Sequence, residues 1–234
     1  MKNILIKLQN EPDNYNLNLE LGLFYLKEKN YNEAKKIFEK LININEKRYE
    51  GFLNLSVILV TYNKFEQSEL ILKKFIEKNE YNKDIISSLG SLYYNIKDFK
   101  KLNKLVNNYI DLEINYLLFF FKSAIYENDN KINKQIKFLI KTIQIKNNFW
   151  TAYEKLFNLY EKQNKISEFF ELVISAKKIF QNNAKVNYYF ALCLYRRNEI
   201  KFAFEELELN KEESEFLRLN NSSYLVNLYD LLSK

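Results

Sequence analysis

The sequence repeats itself with a period of about 34 residues, and this repeat limits the fold more than any other feature. A small residue recurs at one position of the step: Gly22, Ser56, Gly90, Ser123 and Ala191. Three residues later a second column holds Tyr or Leu: Tyr25, Leu59, Tyr93, Tyr126, Tyr160 and Leu194. A unit of this length cannot bury its own apolar face, so the columns indicate a stack of units that share one core.

Each step contains two segments with apolar residues three and four positions apart, which is the spacing of an amphipathic helix. A short polar hinge separates the two segments: Glu28–Asn30, Tyr62–Lys64, Ile96–Asp98, Asp129–Lys131, Gln163–Lys165 and Arg197–Glu199. Most hinges contain Asn, which tolerates the left-handed conformation that ends a helix. The small column is expected where the two helices cross, because a small side chain lets the backbones approach.

Composition excludes several classes of protein. The chain has 234 residues and contains no His, one Cys, one Pro and three Gly. A disulfide scaffold, a histidine metal site and a hydrolase with a histidine base are therefore excluded. The formal net charge of +6 comes mostly from Lys on predicted helix surfaces, so we expect neither nucleic acid nor a membrane as the partner. No cofactor or metal is expected.

The repeat resembles that of the tetratricopeptide repeat (TPR) family. The motif residues are Leu21, Gly22, Tyr25, Ala34 and Phe38 in the first unit, Phe52, Leu55, Ser56 and Ser68 in the second, Leu89, Gly90 and Tyr93 in the third, and Phe190, Ala191 and Ala203 in the sixth, with Pro12 before the first unit. The resemblance implies an all-α, right-handed superhelical solenoid of about six helix-turn-helix repeats. The implied repeats are 15–48, 49–82, 83–115, 116–149, 150–183 and 184–217.

Some positions depart from the family pattern. Phe157 and Gln135 occupy positions where small residues are expected, and Lys122 replaces a Leu. The fourth and fifth repeats are therefore the ones expected to be distorted. Residues 1–14 are predicted to form a half-repeat helix and residues 218–234 a C-terminal capping helix. That last segment is apolar almost all round, so self-association through it is a further hypothesis.

In TPR proteins the first helices of the repeats line a concave groove that holds a peptide or helix of a partner protein. Position by position, the resemblance places the groove at Leu19, Leu23, Leu53, Asn54, Val57, Ser87, Ser91, Phe120, Phe121, Glu154, Asn158, Tyr188, Tyr189 and Leu192. The family's clamp for a terminal carboxylate uses Lys, Asn and Arg. Its positions hold Leu19, Leu23, Asn54, Asp84 and Ser88 here, so this groove is predicted to be mostly apolar and aromatic.

An unbroken apolar run at Leu117–Phe121 would surround a whole helix, because successive helical residues are turned by about 100°. At least one of its Phe side chains is then expected to leave the core. If Phe120 or Phe121 faced the groove, it would be an aromatic anchor for the partner. Burial of both rings by neighbouring repeats is the alternative.

One predicted helix carries a lysine stripe without acidic residues: Lys131, Lys134, Lys137, Lys141 and Lys146. Such a stripe would suit RNA or an anionic membrane, but a solvated helix surface explains it as well. Glu154 and Glu161 share a helix face at a spacing that could serve acid–base catalysis, although solvated surface acids have the same pattern. Cys193 lies in an apolar stretch, as a core residue would.

The sequence therefore favours a non-enzymatic scaffold that binds another protein. A helical region of a larger or adjacent transferase-type enzyme is the alternative, and an RNA-binding or membrane-binding helical array is a third hypothesis. The longest apolar run is too short for a membrane-spanning helix, and the opening residues do not match a signal peptide, so a cytoplasmic protein is expected.

Overall fold

Helices account for nearly all of the part of the chain that the structure describes. The structure is a computed structural model, and it describes residues 2–111, 115–181 and 183–209, with side chains up to residue 206. The helices are α1 (Lys2–Asn10), α2 (Tyr15–Lys27), α3 (Tyr31–Ile44), α4 (Glu50–Thr61), α5 (Phe65–Lys78), α6 (Lys83–Asn95), α7 (Phe99–Tyr109), α8 (Tyr116–Asn128), α9 (Ile132–Ile145), α10 (Trp150–Lys162), α11 (Ile166–Ile179), α12 (Ala184–Arg196) and α13 (Ile200–Leu209). The described residues contain no strand. The predicted all-α repeat fold is confirmed.

The chain divides into two compact units, Met1–Phe121 and Lys122–Lys234, so the boundary falls inside α8. In the first unit each helix from α1 to α7 packs against the next, and α4 also contacts α6. In the second unit α9 to α13 follow the same order. Packing between neighbours in sequence is what stacked helix hairpins produce.

The hinge between the two helices of a repeat has the same backbone geometry each time. Its middle residue has a positive φ of 54–64°: Lys29, Asn63, Lys97, Asn130, Asn164 and Asn198. The next backbone N–H donates to the carbonyl oxygen of the Tyr or Leu column, as from Asn30 to Tyr25 at 2.8 Å and from Lys165 to Tyr160 at 2.9 Å. This bond is the six-to-one bond of a Schellman motif, which satisfies a carbonyl group at the helix end.

Asparagine also begins several of the helices. The side chains of Asn14, Asn30, Asn82 and Asn183 accept hydrogen bonds from backbone N–H groups in the first turns of α2, α3, α6 and α12. These N–H groups have no partner within the helix, and an Asn cap satisfies them. Asn therefore has two roles in this chain: it caps the first turns of several helices, and it takes the positive-φ position that follows several helix ends.

The small column lies where helices pack closely, within a repeat at Gly22 and between neighbouring repeats at Gly90. A Cβ atom built on Gly22 would lie 2.7 Å from Cε1 of Phe38, closer than side chains pack, and one on Gly90 would overlap the ring of Phe121. Phe157 breaks the column, but it does not distort its repeat. Its ring is fully buried, and α10 and α11 have the same lengths as α2 and α3.

Phe157 is accommodated by an aromatic cluster in the second unit. Its ring centroid lies 4.7 Å from that of Tyr189, 5.8 Å from that of Phe169 and 6.1 Å from that of Trp150. Gln135, the other large residue predicted at a small position, is also buried. The predicted C-terminal capping helix, 218–234, lies outside the described residues.

Candidate functional site

A pocket of about 390 Å³ lies in the first unit between α4, α6 and the start of α8. It is lined by Leu53, Lys83, Asp84, Ser87, Ser88, Ser91, Asn115, Tyr116 and Leu117. Most of the lining comes from one face of α6, because residues three and four positions apart share a helix face. The lining combines hydroxyl groups, the ammonium group of Lys83, the carboxylate of Asp84, the amide of Asn115 and apolar side chains.

Asn115 connects the start of α8 to the wall of the pocket. Its side chain is only 7% exposed. Its Oδ1 accepts a hydrogen bond from the backbone N–H of Leu117 at 3.0 Å, and its Nδ2 donates to Oγ of Ser87 at 2.9 Å. Because Ser87 Oγ is the acceptor in this bond, the hydroxyl hydrogen of Ser87 points elsewhere and remains available as a donor.

Ser88 offers a hydrogen-bond acceptor, which complements the donor hydroxyl of Ser87. Oγ of Ser56 donates to the carbonyl oxygen of Leu53 at 2.8 Å, so the hydroxyl hydrogen of Ser56 is already used. In the 3.4 Å contact between Ser56 and Ser88, the donor must therefore be Ser88. The lone pairs of Ser88 stay available, and the wall of α6 offers both a donor and an acceptor.

Two residues of opposite charge lie at the first turn of α6. Lys83 is exposed and Asp84 is half-buried, and neither belongs to an ion pair among the residues that the structure describes. Burial raises the pKa of the Tyr49 hydroxyl, and the nearby carboxylate of Asp84 raises it further, by its charge and as a hydrogen-bond acceptor. The side chain of Asn82 accepts from the N–H groups of Asp84 and Ile85, which fixes the start of this helix.

The residues that the sequence predicts for the groove are placed as follows in the first unit. Leu53, Ser87 and Ser91 line the pocket. Leu23 and Val57 are 44% and 45% exposed, and Leu19 is half-buried. The side chain of Asn54 donates to the carbonyl oxygen of Glu50 at 2.8 Å, on its own helix.

Of the two alternatives for Phe120 and Phe121, the structure has the burial of both rings and not an exposed aromatic anchor. The two residues are only 4% and 2% exposed. Both rings contact Tyr94, at centroid distances of 5.6 and 6.1 Å, and the ring of Phe121 occupies the space left open by Gly90. Leu117 and Phe119 are the partly exposed members of the apolar run instead, and Leu117 reaches the pocket.

Solved structures with the same arrangement of helices are known. PilF of Pseudomonas aeruginosa aligns with a TM-score of 0.73 and 14% identity, over 93% of this chain and 96% of that one. A tetratricopeptide repeat protein of Parabacteroides merdae aligns with a TM-score of 0.60 and 13% identity, over 100% of this chain and 91% of that one. This chain has the TPR fold.

A third neighbour is longer. A chain of the APC/C hetero-tetramer Cut9–Hcn1 aligns with a TM-score of 0.69 and 13% identity. The match covers 99% of this chain but only 45% of that one, so this chain spans less than half the length of that TPR neighbour. No protein-family model matches the sequence, and no curated protein matches it.

The second unit places its predicted groove residues on α10 and α12 of the TPR fold. Glu154 pairs with Lys185 at 3.1 Å, and the hydroxyl of Tyr189 donates to Oδ1 of Asn158 at 3.2 Å. Burial, and then the charge of Glu154, raise the pKa of Tyr189. Tyr188 is buried and Leu192 is half-buried. These polar contacts link α10 to α12, the first helices of two neighbouring repeats.

The candidate catalytic residues are also either paired with other side chains or buried. Glu161 pairs with Arg196 at 2.7 Å, so both carboxylates of the suggested acid–base pair contact cations. Cys193 is buried, and its burial raises the pKa of the thiol to about 12. In the described ranges, no three His, Cys, Asp or Glu side chains come together as metal ligands, and no helix has the length and hydropathy needed to cross a membrane.

The lysine stripe on α9 is partly used by contacts within the second unit. Lys131 pairs with Asp129 at 2.9 Å. The ammonium groups of Lys134 and Lys141 each lie 5.5 Å from an aromatic ring centroid, those of Tyr126 and Phe138 respectively. Cation–π contacts of this kind hold the lysines against their own helix pair.

Several pocket residues escaped the sequence prediction: Lys83, Asn115, Tyr116 and Leu117. The family pattern places the groove in the middle of the first helices, whereas these residues lie at the beginnings of α6 and α8. One signal was present, because Asn immediately before an apolar helical run is a typical N-cap.

Proposed function

We propose that the protein is a non-enzymatic scaffold that holds a short segment of a partner protein in the pocket between α4, α6 and α8. The observation that carries this proposal is the hydrogen bond from the buried Asn115 to Ser87. Because Asn115 is the donor in this bond, it does not use the hydroxyl hydrogen of Ser87, and Ser88 offers lone pairs on the same wall.

A peptide segment has the complementary chemistry. Its backbone provides one N–H donor and one carbonyl acceptor per residue, and these match the acceptor and donor groups on α6. Leu53 and Leu117 provide apolar surface beside them for a side chain of the partner. The volume of about 390 Å³ lies within the range of about 300–1,000 Å³ that is usual for ligand pockets.

The fold supports a protein as the partner. A TPR neighbour, Cut9–Hcn1, is a hetero-tetramer and so assembles with a different protein chain. Leu23 on α2 and Val57 on α4 are further exposed apolar residues, and exposed apolar positions on a repeat protein commonly mark an interaction surface.

Filling the pocket tests the proposal. The double variant Ser87→Phe and Ser91→Phe places two rings in the cavity, and it should lose most of the partner proteins that the wild type captures from a lysate. Gln67→Phe is the matched control, because Gln67 is exposed on α5 and away from the pocket. It adds an aromatic ring to the surface but should capture the same proteins as the wild type.

Circular dichroism and a thermal melt show whether each variant remains folded. A folded double variant that still captures every wild-type partner would overturn the proposed function.

A further inference from the structure

We propose that the partner segment carries a basic side chain, Lys or Arg, that pairs with Asp84 in this pocket. The inference rests on the proposed function and adds the charge of the ligand to it. Among the described residues that line the pocket, Asp84 is the one with an acidic side chain.

Asp84 differs in its ion pairing from the partly buried carboxylates of Glu50 and Glu69 in the first unit. Glu50 pairs with Arg48, and Glu69 pairs with Lys73 and Lys101. Asp84 is half-buried as well and interacts with the hydroxyl of Tyr49, yet it belongs to no ion pair among the residues that the structure describes. A partly desolvated carboxylate without a cation gains more from a charged partner than an exposed one does.

Lys83 does not neutralise Asp84, although it is the preceding residue. Adjacent residues on a helix point about 100° apart, and the two side chains form no ion pair. Lys83 is exposed on a long flexible side chain, so its ammonium group can stay in water at the rim of the pocket. Asp84 has a short side chain on a helix turn that Asn82 fixes, and it must remain at the wall.

The surroundings of Asp84 suit a long basic side chain. Leu53 and Leu117 line the same pocket, and the methylene groups of Lys or Arg pack well on apolar surfaces of this kind. The Ser87 hydroxyl on the same wall can then donate to a backbone carbonyl of the partner segment. The pocket thus recognises an extended segment by backbone hydrogen bonds and one charged side chain.

Three pools of acetylated, amidated octapeptides test the inference. The central residue is fixed as Lys, Gln or Glu, and the flanking positions are random mixtures of Leu, Tyr, Ser, Gly and Ala. Binding is measured from the shifts of the backbone amide resonances of Ser87 and Ser91 in nitrogen-15 spectra of the full-length protein. The Lys pool should bind about tenfold more tightly than the Gln pool, and the Glu pool should bind most weakly.

Variants of two neighbouring residues, the acidic Asp84 and the basic Lys83, complete the test. Asp84→Asn should reduce the preference for Lys over Gln to less than about twofold, whereas Lys83→Gln should leave it intact or increase it. Equal binding of the Lys and Gln pools, or an unchanged preference in folded Asp84→Asn, would overturn the inference while the proposed pocket stands. If no pool shifts the amides of Ser87 and Ser91, the proposed function fails, and this inference fails with it.

Discussion

Gly90 shows how a single missing side chain sets the packing between neighbouring repeats. A Cβ atom at this position would lie 2.7 Å from Cδ2 of Phe121, whose ring is buried and cannot move aside easily. We expect Gly90→Ala to lower the free energy of unfolding by about 1–3 kcal/mol through overpacking. This loss should outweigh the gain of about 1 kcal/mol that Ala brings to a helix interior. Urea denaturation measures the difference.

Gly51→Ala is the control for this prediction. The atoms nearest to an added Cβ there are Cγ1 of Ile42 at 3.1 Å and the backbone N of Ile42 and Cβ of Leu41, both at 3.2 Å, so the contact is tight but looser than at Gly90. The change in the free energy of unfolding should stay below about 1 kcal/mol, because the helix propensity of Ala offsets the strain. Equal effects at Gly51 and Gly90 would contradict the packing argument.

Glu69 makes the stability of the first unit depend on pH. Burial by itself would raise the pKa of Glu69, but hydrogen bonds from Lys73, Lys101 and Tyr93, at 2.6, 2.9 and 3.0 Å, lower it to about 2. The ordinary value is 4.5, so the carboxylate stabilises the fold above about pH 4.5. This contribution is lost as the pH falls through the folded-state pKa.

We therefore expect the wild type to be more stable than Glu69→Gln at pH 7. The difference in urea midpoint should shrink as the pH falls from about 4.5 towards 2, because the unfolded chain then protonates Glu69 while the folded protein still holds it ionised. Glu77→Gln controls for the loss of one carboxylate, since Glu77 is exposed on the same helix without these partners. A difference for Glu69→Gln that is the same at every pH would show that the hydrogen bonds do not act through its charge.

The hinge is the element that every repeat shares, and Lys97 is an unfavourable residue in it. Its φ is 57°, a conformation that costs residues with a Cβ atom about 1–2 kcal/mol. Lys97→Gly removes this cost but makes the unfolded chain more flexible, so we expect a net gain of about 0.5 kcal/mol in the free energy of unfolding. Asn occupies the equivalent position in four hinges.

Lys100→Gly provides the matched control within the next helix. Lys100 is exposed in α7, where Gly should cost about 1 kcal/mol. The same substitution three residues apart should therefore change the urea midpoint in opposite directions. Destabilisation by both variants would mean that the hinge conformation carries no strain at Lys97.

The helices could be predicted from the sequence because the same pattern of two helices and a hinge recurs along the chain. The Tyr and Leu column marks the carbonyl groups that close the hinges, so the pattern located both helix ends. The pocket was predictable only in part, through Leu53, Ser87 and Ser91. Helical spacing shows that the residues of the apolar run Leu117–Phe121 cannot all lie on one face of the helix. It does not show that Gly90 and Tyr94 leave room for the rings of both Phe120 and Phe121.

At the scale of the whole molecule, the packing order determines how the chain loses structure. Helices within each unit contact their neighbours in sequence, so a defect weakens the adjacent helices first. Leu72 on α5 and Leu156 on α10 are both fully buried, one in each unit. Leu→Ala at such positions costs about 2–5 kcal/mol, which is enough to alter the local opening that hydrogen exchange detects.

Amide hydrogen exchange of the two variants under native conditions tests this behaviour. Leu72→Ala should accelerate exchange most strongly in α4, α5 and α6 and leave the protection of α12 near its wild-type value. Leu156→Ala should accelerate exchange in α10 and α11 and leave α2 and α3 protected. The two patterns should be complementary, because opening of one part of a repeat array does not require opening of distant repeats. A uniform loss of protection in both variants would instead show that the chain opens as a single cooperative unit.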